Sequence, residues 1–246
     1  MDEQRVAVLT GAAGGLGVAA SRALGKTGVR VVMTDMASDR AEAAAAALRS
    51  EGIDALGAEL DVTHPGAVNA FIAETATTHG RLDILVNLAG IVRNDYLTKV
   101  KDEDFDLTLA SHVKGTMHCM RAAMPIMRAQ KYGRMINMSS VAALGAVAGT
   151  AYGAAKGAIE SMSRVAAIEG AKEGVTVNCV APGMIAAGMF LTTPEHYQAF
   201  NIERTPMKRA GTPEEVAYCI AFFASPAASF VTGQTLFVCG GLSVGF

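Results

Sequence analysis

Six times along this chain a short run of β-branched and other apolar residues is followed by a longer segment with helical periodicity, several of them rich in alanine. The runs VAVLT, VRVVMTD, ALGAELDV, LDILVNLA, GRMINMS and VTVNCVAP alternate with such segments, and QTLFVCG closes the series. Near-continuous apolar runs suit strands buried on both faces, and strands separated by helix-length segments must run parallel. The pattern predicts an α/β fold: a doubly wound parallel sheet of about seven strands with helices on both faces, and a ligand crevice at the strands' carboxyl ends where the winding reverses.

The helices are expected in VAASRALGKTG, RAEAAAAALRSEG, PGAVNAFIAETATTHG, EDFDLTLASHVKGTMHCMRAAMPIMRAQ, AYGAAKGAIESMSRVAAIEGAKEG and TPEEVAYCIAFFAS. In the last, Thr212 is placed as N-cap, Pro213 at the first helical position and Glu215 three residues after the cap. No linker, repeat or charge block divides the 246 residues, so one domain is expected over 1–246, and 51% hydrophobic content is ample for its core.

Charge and composition exclude several classes of function. The formal net charge is −2 with no basic run, which offers nothing to nucleic acid or to an anionic membrane surface. Mean hydropathy is high at +0.30, yet the apolar stretches are broken well short of about 18 residues, the length that signals a membrane span. MDEQ leads directly into the first strand without a signal peptide, so a cytoplasmic protein is expected. Cys119, Cys179, Cys219 and Cys239 are scattered without a CxxC pair and read as buried small hydrophobes. His64, His79, His112, His118 and His196 show no compact ligand spacing, so no metal site is expected.

Two constellations carry chemistry. Tyr152 and Lys156 stand one helical turn apart, and Ser140 lies a dozen residues earlier at the end of the strand run RMINMSS. An ammonium at i+4 favours the phenolate of a tyrosine, whose ordinary pKa is about 10. A serine hydroxyl beside it can hold a substrate oxygen, so the trio suits moving a proton to or from an alcohol oxygen. At the other end of the chain, VAVLTGAAGGLG places Gly11, Gly15 and Gly17 between a strand and a helix. Such a turn lets backbone approach a pyrophosphate at the helix N-terminus. Its spacing, TGxxxGxG, differs from the commoner GxGxxG. A carboxylate at Asp35, ending the second strand, stands near the distance along the chain expected for an acid that grips an adenosine ribose. It would repel a 2′-phosphate, so NAD is preferred over NADP. The alternative is that Asp35 caps a turn with Ser38 and Asp39.

Taken in order, Thr10-Gly-x-x-x-Gly-x-Gly17, Asp61-Val62, Asn87-Leu-Ala-Gly90, Ser140, Tyr152-x-x-x-Lys156, Asn178 and Pro182-Gly183 resemble the short-chain dehydrogenase/reductase family from about residue 5 to the terminal VTGQTLFVCGG. The resemblance implies a Rossmann-type sheet and a nicotinamide cofactor. It implies that Gly11, Gly15, Leu16 and Gly17 meet the pyrophosphate, and that Asp35 and Met36 stand at the adenosine ribose. Uncharged Ala13 and Met36 occupy positions where NADP-using relatives often carry Arg or Lys. It further implies that Asp61 and Val62 meet the adenine, and that Asn87, Ala89 and Gly90 run beneath the adenine ribose and pyrophosphate. Pro182, Gly183 and Ile185 fall on the nicotinamide side. Tyr152 becomes the base or acid, and Lys156 lowers the phenol's pKa and bonds the nicotinamide ribose.

Three positions depart from the family pattern. The usual spacing to the tyrosine selects Ser139, whereas the text SSVAA selects Ser140, which is favoured; strand alternation sends the two side chains to opposite faces. His112 stands where many relatives carry an asparagine supporting a water relay. It preserves a helix kink, shuttles protons itself, or is satisfied by a local bond. Ala187 stands where a threonine commonly contacts the carboxamide.

The segment 186–209, with Met189, Phe190, Leu191, Tyr197 and Phe200, resembles the family's substrate lid, and Arg93, Tyr96 and 142–148 are expected as the other pocket walls. The leading expectation is an NAD-dependent secondary-alcohol dehydrogenase or ketone reductase for an apolar or aryl substrate. The alternatives are a 3-oxoacyl-thioester (ACP or CoA) reductase and, from another class, a dinucleotide-binding regulatory protein weakened in catalysis at His112 and Ala187. The resemblance also implies a homo-oligomer, with a tetramer favoured. It would pair through HCMRAAMPIMRA and the Tyr/Lys helix and stack through the last strand, with the apolar ending LFVCGGLSVGF buried.

Overall fold

The computed structural model of the chain describes residues 4–244. All seven strands form: β1 (Val6–Thr10), β2 (Arg30–Asp35), β3 (Ala55–Glu59), β4 (Ile84–Asn87), β5 (Gly133–Met138), β6 (Val175–Pro182) and β7 (Thr235–Val238). They pair in parallel in the order β3-β2-β1-β4-β5-β6-β7. The winding reverses between β1 and β4, which opens a crevice at their carboxyl ends.

Period-two alternation divides the core between the faces. Ala7, Leu9, Val31, Met33, Ile84 and Val86 point to one side. There they meet Ala20 and Leu24 of α1 (Gly15–Gly25), Leu48 of α2 (Ser38–Ser50) and Ile220 of α8 (Pro213–Ala224). Val6, Val8, Val32, Leu85 and Met135 point to the other. They cover Ile72 of α3 (Pro65–His79), Cys119 and Met127 of α5 (Gly115–Gln130) and Ala167 of α6 (Thr150–Ala171). The α8 capping box forms as its sequence suggests, Glu215 N donating to Thr212 Oγ1 and Thr212 N to Glu215 Oε2.

Three details differ from the sequence reading. The helix expected over 103–130 is broken into α4 (Asp102–Leu109), a π-helical turn at Ala110–Lys114, and α5. Such a turn inserts a residue into the helical ladder, and here it carries His112 at its centre. The third strand stops at Glu59 because the Asp61 carboxylate accepts from Thr63 N and Thr63 Oγ1 and turns the chain into α3. Within 186–209 the chain forms a 3₁₀ turn, Gly188–Thr192, and a helix, α7 (Glu195–Arg204), which the sequence reading left without secondary structure. The opening MDE and the final Gly245 and Phe246 of LFVCGGLSVGF lie outside the described residues. Among the described residues no helix is long and apolar enough to cross a membrane, and no group of three or more His, Cys, Asp or Glu could hold a metal ion.

Two glycines fix the shape of the first turn. Gly11 has φ +62, and a Cβ there would lie 2.8 Å from Ala89 Cα, so β1 and the loop after β4 touch backbone to backbone. At Gly17 a Cβ would lie 2.5 Å from Ala12 Cα, which brings α1 onto the turn. Gly17→Ala is therefore expected to destabilise the chain by about 1–3 kcal/mol, whereas Gly66→Ala, whose Cβ meets nothing within 4 Å, changes the urea midpoint little.

Candidate active site

The glycine turn forms the floor of the crevice. Helix α1 begins at Gly15 with Gly14 as N-cap, without a side-chain cap or an acidic residue in its first turn. The first backbone bond of the helix runs from Val18 N to Gly14 O, so the N–H groups of Gly15, Leu16 and Gly17 have no intrahelical partner. A Cβ on Gly14 would meet only Gly11 O, at 4.0 Å. Bare, open N–H groups at a positive helix end fit a pyrophosphate.

Asp35 ends β2 beside this turn. Its Oδ1 accepts weakly from Ala37 N at 3.3 Å and lies 3.8 Å from Arg40 Nη1, on the first turn of α2. Met36 next to it is exposed. Arg40 was not anticipated, although its place in SDR beside Asp35 was readable.

The two residues expected at the adenine also bond within the protein. Besides the two Thr63 donors, the Asp61 carboxylate meets His64 Nδ1 at 3.0 Å. Burial would raise its pKa, but the Thr63 bonds and His64 hold it below the ordinary value. The Val62 side chain is in the core, and its carbonyl accepts from His118 Nδ1 at 2.9 Å. Asn87 likewise turns into the sheet, where its Nδ2 donates to Asn137 Oδ1 at 2.7 Å; its Oδ1 is buried without a partner. Ala89 N is tied back to Thr10 Oγ1 at 3.3 Å, and Gly90 is exposed.

The far wall is the end of β5 against α6. The Ser140 hydroxyl faces the Tyr152 phenol and opposes the rise in its pKa, whereas the Ser139 hydroxyl, on the opposite side, donates to Glu160 Oε1 at 2.6 Å. Of the two serines, Ser140 is therefore the one on the tyrosine. Lys156 is buried, and its Nζ donates to Met138 O at 2.7 Å while standing 5.2 Å from the Tyr152 ring centroid. Burial pushes its ammonium down to about 7. Burial likewise raises the Tyr152 phenol, against the opposing hydrogen bond from Ser140. In the protein alone the ammonium is aimed at a backbone carbonyl, and desolvation moves both groups towards their neutral forms.

His112 packs edge-on against Tyr152, ring centroids 5.3 Å apart, and against Gly90, where a Cβ would lie 2.0 Å from His112 Cε1. A carbonyl cannot donate, so the 2.6 Å contact between His112 Nε2 and Ile91 O fixes the proton on Nε2. Nδ1 is left as a buried acceptor with no partner. Burial, then the charge of Lys156, pushes the imidazole down to about 3. A ring so placed stays neutral at ordinary pH, which argues for the local-bond reading over proton shuttling.

On the nicotinamide side, a Cβ on Gly183 would lie 2.8 Å from Cys239 Cα, so the chain leaving β6 at Pro182 runs tightly past the end of β7. Ile185 bridges to Gly211, and its carbonyl accepts from Ala187 N at 2.7 Å. Those bonds close the base of the 186–209 excursion. The Ala187 Cβ lies 3.4 Å from where a Cβ on Gly15 would be, directly over the phosphate cradle. Leu191, Tyr197 and Phe200 are exposed on the excursion. The loops bearing Tyr96 and Val147 are joined by a bridge from Asp95 to Gly149. Nothing in the sequence reading marked Glu160 or the Met138 carbonyl. The acid's place one turn beyond Lys156 was the available sign.

Comparison with known proteins agrees with this geometry. A family model described as enoyl-(acyl carrier protein) reductase matches residues 11–243. The chain is 38% identical over 242 residues to subunit BbsD of (2S)-((R)-hydroxy(phenyl)methyl)succinyl-CoA dehydrogenase from Thauera aromatica, covering 98% of each chain. It is 34% identical over 244 residues to the 3-oxoacyl-(acyl-carrier-protein) reductase FabG of Staphylococcus aureus, covering 98% of this chain and 99% of that one. The crystal structure of a variant actinorhodin polyketide ketoreductase with NADPH superposes with a TM-score of 0.95 at 29% identity, covering 99% of each chain.

The state of His112 has a measurable consequence. Its folded pKa of about 3 lies below the ordinary 6.5. The unfolded chain therefore takes up a proton there first, and stability falls as pH drops from about 6.5 towards 3. Between pH 7 and 5 the wild type is expected to lose roughly 2 kcal/mol that His112→Phe does not, read from urea unfolding at the two pH values.

Proposed function

Because the chain belongs to the short-chain dehydrogenase/reductase family and is an oxidoreductase of that family, we propose that it interconverts a secondary alcohol and a ketone with NAD, through Tyr152 as base or acid. The observation that carries this reading is a Tyr152 phenol with Ser140 on one side and a buried Lys156 5.2 Å from its ring, across the crevice from the open glycine turn. Gly15, Leu16 and Gly17 would hold the pyrophosphate with backbone N–H groups, Asp35 the adenosine ribose, and the turn through Pro182, Gly183 and Ile185 the nicotinamide end. When bound, the dinucleotide supplies the hydride acceptor or donor and, in its oxidised form, a positive charge beside the phenol.

Ser140 holds the substrate oxygen. In the oxidising direction Tyr152 takes the hydroxyl proton as the carbinol carbon gives up its hydride; in the reducing direction the neutral phenol returns that proton to the carbonyl oxygen. Lys156 stabilises the phenolate through the field of its ammonium. His112, neutral and bonded to Ile91 O, holds the Gly90–Ile91 turn rather than a mobile proton. The adenine would lie at Asp61 and Val62, where the Asp61 carboxylate is part-exposed and the Val62 side chain is in the core.

Asp35 supports NAD over NADP. Arg40, 3.8 Å away, is 61% exposed along its side chain, so solvent screens the pair and little offsets the repulsion between Asp35 and a 2′-phosphate. The exposed Leu191, Tyr197 and Phe200 support an apolar or aryl substrate. The substrate named for BbsD, a benzylic secondary alcohol carried on a CoA thioester, supports the same class. That thioester and the FabG match also support a second reading, reduction of 3-oxoacyl thioesters.

Absorbance of NADH across a panel of aryl and alkyl secondary alcohols tests the proposal. NAD is expected to outperform NADP at least about tenfold, the factor that 1.4 kcal/mol of repulsion gives, and Tyr152→Phe to lose about 10²–10⁴ in kcat with dinucleotide binding intact. Silence across the panel with dinucleotide bound favours the regulatory alternative. Faster turnover of 3-oxoacyl-CoA with NADPH than of any alcohol with NAD makes the thioester reading the better one.

Self-association belongs to the same proposal. A groove of about 690 Å³ between α5 and α6 is lined by Met117, Met120, Met124 and Met162, and Val165 and Ile168 stand exposed on α6. Tyr218 and Phe222 on α8 and Leu236 on β7 form a second exposed apolar set at the sheet edge. A second copy on the first face would give a dimer, and both faces together a tetramer. Val165→Glu with Ile168→Glu is expected to halve the mass or reduce it to that of the monomer in sedimentation equilibrium; an unchanged mass removes that face from the assembly.

A further inference from the structure

Three consecutive residues, the last of β5 and the two that follow it, each face a different turn of α6. Ser140 stands at Tyr152, Met138 O accepts from Lys156 Nζ at 2.7 Å, and the Ser139 hydroxyl donates to Glu160 Oε1 at 2.6 Å. Tyr152, Lys156 and Glu160 are spaced by four residues and so lie along one helix face. The first two contacts involve groups with a stated part in the chemistry. The third does not: Glu160 touches neither Tyr152 nor Ser140 in any recorded bond.

The cost of this third contact calls for a reason. Ser139 is buried, and the Glu160 side chain is only 16% exposed. A carboxylate held that deep loses hydration, which only good partners offset. The other charged partner recorded for it is Arg164, at 3.9 Å on the solvent side. The bond from Ser139 is short and charge-assisted, the kind that fixes geometry most firmly. It also stands farther along α6 than the other two contacts, so it resists rotation and sliding of the helix that either of them alone would permit.

We propose that Glu160 is a positioning residue for the reaction: by holding Ser139 it fixes the rotation and axial setting of α6 on β5, and thereby the approach of the Tyr152 hydroxyl to Ser140. The proposal rests on the reading of Tyr152 and Ser140 as the reacting pair. Loss of the contact lets α6 shift by a fraction of an ångström, and reactions that depend on a held geometry are sensitive to shifts of that size.

The test compares Glu160→Ala, Glu160→Gln, Ser139→Ala and the double variant Ser139→Ala with Glu160→Ala. One readout needs no substrate: the carbon-13 shift of Tyr152 Cζ at neutral pH, assigned by its absence in Tyr152→Phe. It is expected to move in the same direction in Ser139→Ala and Glu160→Ala and to return in Glu160→Gln, whose amide oxygen still accepts from Ser139. With a turned-over alcohol, the two alanine variants are expected to lose about tenfold in kcat with KM within about twofold, Glu160→Gln to stay near wild type, and the double variant to be no worse than either single. A Tyr152 signal unmoved by both alanine changes overturns the proposal, as does a multiplicative loss in the double variant. Ser139→Ala removes a single hydroxyl and provides the answer if Glu160→Ala does not fold. If the wild type turns over no alcohol, the proposed reaction fails while the Tyr152 signal still decides whether Glu160 sets its position.

Discussion

A buried ammonium on a backbone carbonyl organises this molecule's crevice. Lys156 lies inside the protein, with Met138 O as the acceptor recorded for it. Taking such a charge out of water is unfavourable, which is why burial pushes it down to about 7. For the contact to exist, β5 must end with its last carbonyl facing α6 rather than another strand, and α6 must dock with the Tyr152–Lys156–Glu160 face inward. The two neighbouring serines follow from that arrangement, one on each side of the strand end.

The same desolvation acts on every titratable group around the phenol. Tyr152 is raised, Lys156 lowered to about 7, and His112 lowered to about 3, so in the protein alone burial weakens the charged form of each group. A low-dielectric, weakly charged pocket strengthens the effect of any charge that enters it. The site therefore reads as one whose field is completed by its ligand. The opposite wall is built the same way: the N–H groups of α1 stand uncapped by any side chain, with no acid in the first turn to satisfy the helix end.

Residues with local, periodic or turn-forming roles were legible from the chain. The seven strands follow from apolar runs of strand length, the glycine turn from Gly11 and Gly17, whose Cβ atoms would strike backbone, and the α8 start from Thr212 and Glu215. Residues whose role depends on a distant partner were not. Asn87 is turned to Asn137 across the sheet, and the Val62 carbonyl accepts from His118 of α5. The π-helical turn at Ala110–Lys114 leaves no mark in the periodicity, and the bond made by His112 at its centre reaches Ile91, twenty-one residues away.

The sequence by itself determined the α/β alternation, the parallel sheet and the chemical inventory of the crevice, since strand period, helix spacing and turn chemistry act between near neighbours in the chain. Only the tertiary structure decided which serine meets Tyr152, that Lys156 faces a carbonyl rather than the phenol oxygen, that His112 is locked and neutral, and that Glu160 belongs with Ser139. Each of those outcomes depends on burial and on contacts between segments brought together by packing, and neither burial nor packing distance is written in the order of residues.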